Sequence, residues 1–164
     1  MTSASEEISE RIVELLPRLR RFARSLSRNQ HDADDLVQSA VERAWRNLDQ
    51  FKPGANLHSW MFGIMKNAWI DNLRAGRRRR EVALPEDSGD HPAVNPTDMN
   101  ANLWSVSEAM DKLPEEQRLA VALVLVEGLS YKEASELLEI PMGTLTSRLA
   151  RGRMALAAAL GGAS

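Results

Sequence analysis

His31, Asp32, Asp34 and Asp35 stand side by side in the chain, a grouping that could exchange protons or hold a metal ion. The surrounding pattern argues against both. The stretch lacks the loop glycine and distal glutamate of a calcium loop, and no second ligand cluster accompanies it. His58 and His91 are isolated. The chain has no cysteine, which excludes disulfides, thiolate zinc sites and cysteine nucleophiles. No cofactor or metal is expected, and an enzyme is the weakest reading. Thr144, Thr146, Ser147, Arg148 and Arg151 offer different chemistry. Arginine can pair with guanine through two hydrogen bonds, and serine or threonine can contact bases or phosphates. Arg77, Arg78, Arg79 and Arg80 could neutralise phosphates, which adds salt dependence rather than sequence preference. Each of these runs also has a plainer reading as a solvated face.

Helices must position these groups. Ile12, Leu15, Leu16, Leu19, Phe22, Ala23 and Leu26 form one apolar stripe, in which Pro17 is expected to kink or divide the helix. Leu36, Val37, Ala40, Val41, Ala44, Trp45 and Leu48 form a second stripe. A third runs through Leu57, Trp60, Met61, Ile64, Met65, Ala68, Trp69 and Leu73. The last two read as amphipathic helices with a wide buried face. Asp32, Asp34 and Asp35 open the second helix, where acids suit the positive end of the dipole and can cap free amides. Gly76 is expected to loosen the third helix before its arginine run.

The later part of the chain begins with a short helix, Trp104 to Leu113, stopped by Pro114. Pro114-Glu115-Glu116 opens the next, which carries Leu119 to Val126 and ends at Gly128. Ser130 and Glu133 form a capping box for Tyr131 to Leu138. The turn Glu139-Ile140-Pro141 leads to a last helix from about Met142 to Leu160. On that helix Leu145, Leu149, Gly152, Leu156 and Leu160 face inward. Thr144, Ser147 and Arg151 lie opposite, with Thr146 and Arg148 on the flanks. Two short helices with a tight turn match the helix-turn-helix. No segment alternates as a strand, so the fold class is all-α.

The chain has 164 residues, 43% of them apolar and 27% charged, with a net charge of −2. That length fits one domain or two small ones. Residues 1–80 carry +5, residues 81–100 carry −5 and residues 101–164 carry −2. A basic first half fits a nucleic-acid partner. The segment 81–100 has three prolines, five acids and no base, and reads as a flexible linker between two small helical domains. Each is small for an independent core, so their stability is expected to lean on a partner. The longest apolar run, Leu119–Val126, is far below the ~20 residues of a membrane span. The start of the chain has no secretion signal, and the composition suits a reducing cytoplasm.

Residues 11–80 resemble region 2 of bacterial sigma factors of the extracytoplasmic-function (ECF) type. The strings that carry this are LLPRLRRFARSL, HDADDLVQSAVERAW and HSWMFGIMKNAWIDNLRAGRRR. Residues 103–160 resemble region 4 of the same family through LPEEQRLAVALVLVEGLSYKEASELLEIPMGTLTSRLARGRMAL. The resemblance implies that residues 1–80 bind core RNA polymerase and recognise and melt the minus-ten element, while 101–164 read the minus-thirty-five element. It implies contact with the polymerase clamp helices and flap, control by an anti-sigma factor, a stress or envelope response, and a monomer when free. Residue by residue, Asp32, Asp34, Asp35, Gln38 and Glu42 match the clamp-binding segment, with Leu36, Val37 and Trp45 kept in the core. The matching minus-ten candidates are Lys52, Asn56, Lys66, Asn67 and Arg74. Trp60 and Trp69 lie on the buried stripe, and Phe62 points the other way as the exposed aromatic. Arg77 to Arg80 match an upstream phosphate contact. Thr144, Thr146, Ser147, Arg148 and Arg151 match the minus-thirty-five face. Relatives often carry a basic residue at positions 63 and 146, so Gly63 and Thr146 predict weaker contacts there. Glu139 stands where a turn glycine is usual.

Two other readings compete. A plain helix-turn-helix regulator would explain 103–160 but leaves the first half unused, and usually predicts a dimer on a palindrome. A sigma-like decoy would bind an anti-sigma partner and not DNA, but the arginines at 77–80, 148 and 151 are retained.

Overall fold

The computed structural model describes residues 3–82 and 101–161. All but the first two residues of the expected linker lie outside that range, so its reading as a flexible segment does too. Among the described residues there are seven α-helices and no strand. They are α1 (Ser3–Leu26), α2 (Gln30–Arg46), α3 (Leu57–Val82), α4 (Ala101–Lys112), α5 (Glu115–Val121), α6 (Tyr131–Leu138) and α7 (Met142–Gly161).

The apolar stripes bury as their spacing requires. Ile12, Leu19, Phe22, Leu36, Met61 and Met65 are essentially inaccessible, and α1, α2 and α3 pack on one another through them. Helix α2 starts earlier than its apolar stripe. Asn29 caps it by accepting from the Asp32 amide at 2.8 Å, while its own amide donates to Asp32 Oδ2 at 3.0 Å. The acids expected to cap this helix therefore sit one turn inside it. An Asn followed three residues later by an acid is the readable signal.

Pro17 does not divide α1, which is continuous from Ser3 to Leu26. The carbonyl that loses its partner to Pro17 belongs to Val13, whose side chain is 55% exposed, so water reaches that side of the helix. Helix α3 runs through Gly76 and its arginine run to Val82.

In the second half, α5 is followed by a π turn over Ala122–Val126, closed by the Glu127 amide donating to the Ala122 carbonyl at 2.9 Å. Gly128 then takes φ +77°, the left-handed value for which glycine is suited. The capping box at α6 is formed in full: Glu133 N–H donates to Ser130 Oγ, and Ser130 N–H donates to a Glu133 carboxylate oxygen. These Ser130 bonds hold the Glu133 carboxyl below its ordinary pKa.

Glu139 ends α6 with φ 58° and ψ 43°, the left-handed conformation. A residue with a Cβ carries about 1–2 kcal/mol of strain there. Glu139→Gly is therefore expected to stabilise the chain by up to about 1 kcal/mol, after glycine's larger unfolded-state entropy is discounted. A melting temperature that fails to rise contradicts this.

Helix α7 crosses α5 at Gly152, where an added Cβ would lie 2.7 Å from Val121 Cγ2 and 3.7 Å from Gln117 Cβ. Val121 is buried and β-branched, so it cannot swing aside. Overpacking of this kind costs about 1–3 kcal/mol, against about 1 kcal/mol returned by alanine's helix propensity. Gly152→Ala is expected to lower the melting temperature, and a rise would show that the α5–α7 crossing is looser than drawn.

The two halves share one core. Phe22, Phe62 and Leu36 belong to the same buried cluster as Leu119, Leu123 and Leu145. Helix α1 packs on α4, α5 and the π turn, and α3 packs on α6. The partner that each small module leans on is the other module.

Arg118 is the principal polar joint. It is 6% exposed and donates to the carbonyls of Met110, Asp111 and Leu113 at the end of α4, and of Leu26 at the end of α1, at 2.8–3.0 Å. One guanidinium thus supplies donors to carbonyls at two helix ends, where a cation also suits the dipole. Burial pushes its pKa below the ordinary arginine value, yet an arginine stays charged.

Candidate partner and nucleic-acid interfaces

Asp32, Asp34, Asp35, Gln38 and Glu42 are all exposed on α2. His31 Nε2 lies 3.4 Å from Asp35 Oδ2, both well exposed. Asp34, Gln38 and Glu42 flank a groove between α1 and α2, together with Arg20 and Arg24 of α1. Its apolar residues are Leu16, Val37, Val41 and Trp45. Leu36 and Val37 are buried as expected. Trp45 is not: it is 50% exposed, and the expectation that it stays in the core is corrected. Its ring falls at the edge of the α2 stripe, where α1 leaves room. Sequence periodicity gives the stripe but not its rim.

The loop 51–56 holds Lys52 and Asn56 exposed. Phe51 anchors it from inside, with its ring centroid 5.2 Å from that of Trp60. Phe62 is a second correction. It is fully buried, 4.9 Å from the Phe22 ring centroid, with the Arg18 guanidinium 5.4 Å from its own. It cannot serve as an exposed stacking aromatic, because Phe22 and Arg18 of α1 cover its ring. Trp69 is buried and Trp60 half-buried, as their stripe required.

Lys66 is covered by α6 of the second half. It is 8% exposed, and its ammonium donates to the Leu137 carbonyl of α6 at 3.1 Å. Asn67 and Arg74 remain exposed and line a groove between α3 and α5–α7. Arg77 to Arg80 are exposed on the last turns of α3, and Arg77 donates to Glu115 Oε2 at 2.6 Å.

Helices α6 and α7 form the expected helix-turn-helix. Leu145, Leu149 and Gly152 are buried. Thr146, Ser147 and Arg151 are exposed, while Thr144 and Arg148 are half-buried. Thr146 Oγ1 donates to the Met142 carbonyl at 2.8 Å. Arg148 Nε lies 3.9 Å from Glu116 Oε2. Among the described residues no cluster of three or more His, Asp or Glu is placed to hold a metal ion. Nor is any helix of the described residues long and apolar enough to cross a membrane.

The structure also adds residues with little sequence signal. Arg18 and Arg21 of α1 converge on Glu127, whose side chain is wholly buried. These contacts span more than a hundred positions, beyond the reach of any local pattern.

Comparison with known proteins agrees with this arrangement. Residues 12–79 match the model of Sigma-70 region 2, and residues 103–156 match that of Sigma-70, region 4. The chain is 39% identical over 158 residues to the ECF RNA polymerase sigma factor EcfG of Rhodopseudomonas palustris, covering 95% of this chain and 86% of that one. It is 40% identical over 147 residues to the ECF RNA polymerase sigma factor SigE of Mycolicibacterium smegmatis, covering 85% of this chain and 56% of that one. The sigma factor RpoE of Bartonella quintana, solved in complex with the anti-sigma factor NepR, superposes with a TM-score of 0.80 at 32% identity, over 94% of this chain and 97% of that one. The chain belongs to the ECF RNA polymerase sigma factors, which are transcription initiation factors and not enzymes.

Proposed function

We propose that this sigma factor binds core RNA polymerase through the α1–α2 groove, recruits it to specific promoters and helps open the minus-ten element. The observation that carries the promoter reading is the helix-turn-helix itself. Its second helix buries Leu145 and Leu149 and presents Thr146, Ser147 and Arg151 at its outer face, as a helix entering the major groove must. The exposed acids of α2 beside Trp45 offer charge and apolar area to a basic coiled coil such as the polymerase clamp helices. The flap is the proposed partner of the second module. Lys52, Asn56, Asn67 and Arg74 supply cations and amides for an unpaired strand. Residues 1–80 and 101–164 act as two modules, each with a polymerase contact and a promoter element, so the second contact becomes effectively intramolecular.

Control by an anti-sigma factor of the NepR kind, in a cytoplasmic stress response, is part of the same proposal. It is supported by the likeness to a sigma factor solved with that partner. Run-off transcription by purified core polymerase on a genomic fragment library tests the reading. New discrete transcripts with shared upstream elements are the expected result. Tight binding to core without transcripts would favour the decoy, and neither would favour a plain helix-turn-helix regulator.

A further inference from the structure

We infer that the chain holds itself closed through a latch of Glu127 with Arg18 and Arg21, and that closure engages part of the promoter surfaces, at Lys66, Arg77 and Arg148, while leaving the polymerase groove open. This rests on the functional reading above.

Glu127 sits at the end of the π turn, which directs its side chain at α1. Arg21 grips the carboxylate with both arms, Nε to Oε2 at 3.0 Å and Nη2 to Oε1 at 2.8 Å. Arg18 reaches Oε1 at 3.4 Å and the Glu127 carbonyl at 3.2 Å. This forked geometry is the strong form of the ion pair, and the carboxylate raises the pKa of Arg21 above its ordinary value. The side chain of Glu127 is fully buried, whereas that of Arg21 is 53% exposed. Opening would return all three groups to water, so the paired latch adds little net free energy of its own, and the shared apolar core supplies the rest of closure. Removing an arginine changes the balance, because the carboxylate is then buried and underpaired only in the closed form.

Closure spends groups assigned to DNA. Lys66 donates to a carbonyl of α6, and Arg77 pairs with Glu115 of α5. Asn67 and Arg74 share a groove with Arg148, so the minus-ten face is set against one member of the minus-thirty-five set. The groove between α1 and α2 is lined only by residues between Leu16 and Trp45. Nothing from the second module enters it. Polymerase therefore docks on the closed chain first, and the promoter surfaces become available after the modules part.

Arg21→Ala tests this, with Arg21→Lys as the variant that keeps the charge. The chain has no cysteine, so dyes on Glu10→Cys and Lys132→Cys report the distance between the modules. Both variants should keep the wild-type helical circular dichroism. In the free protein, Arg21→Ala is expected to lengthen the dye distance. It should also bind a labelled promoter duplex from the run-off selection about tenfold more tightly than wild type, a shift of ~1.4 kcal/mol. Core polymerase binding should be unchanged, and Arg21→Lys should fall between. An unchanged dye distance overturns the latch. So does a longer distance with no gain in promoter binding, while both chains still transcribe with core polymerase. If the distance lengthens but neither chain transcribes with core, the latch stands and the functional reading fails.

Discussion

Arg118→Met is expected to cost about 3–5 kcal/mol of stability, the range for removing one side of a buried, fully hydrogen-bonded charge system. Methionine fills much of the same space, so the loss is in hydrogen bonding more than in packing. Four backbone carbonyls, those of Leu26, Met110, Asp111 and Leu113, would lose a donor together. Each underpaired buried acceptor costs about 1–3 kcal/mol unless water reaches it, and partial hydration keeps the total below the simple sum. Three of the carbonyls fix the α4–α5 corner, and the fourth belongs to the end of α1. Both the helix-turn-helix module and its seat on the first module should loosen. Urea unfolding followed by circular dichroism measures the loss. Arg118→Lys keeps the charge but has three donors on a flexible stem, and should recover only part of it. A loss under about 1 kcal/mol for the methionine variant would mean that water already satisfies these carbonyls.

Arg118 also shows where sequence reading stops. In the string LPEEQRLAV it is a helical arginine like any other, and nothing local marks it as buried. The helices themselves were legible because their apolar residues recur at a fixed period. Ser130 with Glu133, Glu139 and Gly128 were legible because each meets a local backbone need. The buried face of α7 at Leu145 and Leu149 followed from the same period. Four residues resisted. Phe62 and Lys66 sit at the edge of the α3 stripe, and read as exposed until α1 is placed against the first and α6 against the second. Trp45 erred the other way, on the stripe by spacing but at its rim in space. Pro17 was read for its missing amide, when what matters is that the carbonyl it orphans is wet. For Phe62 and Lys66 the deciding contact comes from an element remote in sequence.

Trp45→Ala is expected to weaken core polymerase binding by about 2 kcal/mol or more, roughly thirtyfold, with little change in stability. An indole that is 50% exposed in the free chain still has half its surface to bury, and rigid aromatics of this kind dominate interfaces when ringed by polar groups. Gln38, Glu42 and Arg20 form such a polar rim around it. The acids alone are a poorer source of affinity. Asp34, Asp35 and Glu42 are exposed charges, and exposed pairs contribute about 0–1 kcal/mol each and lose most of that in salt. They steer association and set the rate of encounter, while the indole sets how long the complex lasts. Trp69 supplies the contrast. It is 6% exposed, and Trp69→Ala should cost about 3–5 kcal/mol of stability through the cavity it leaves. Dissociation kinetics of the two variants from immobilised core polymerase, read beside their melting curves, separate the roles. If Trp45→Ala releases from core no faster than wild type, the α1–α2 groove is not the seat of the polymerase contact.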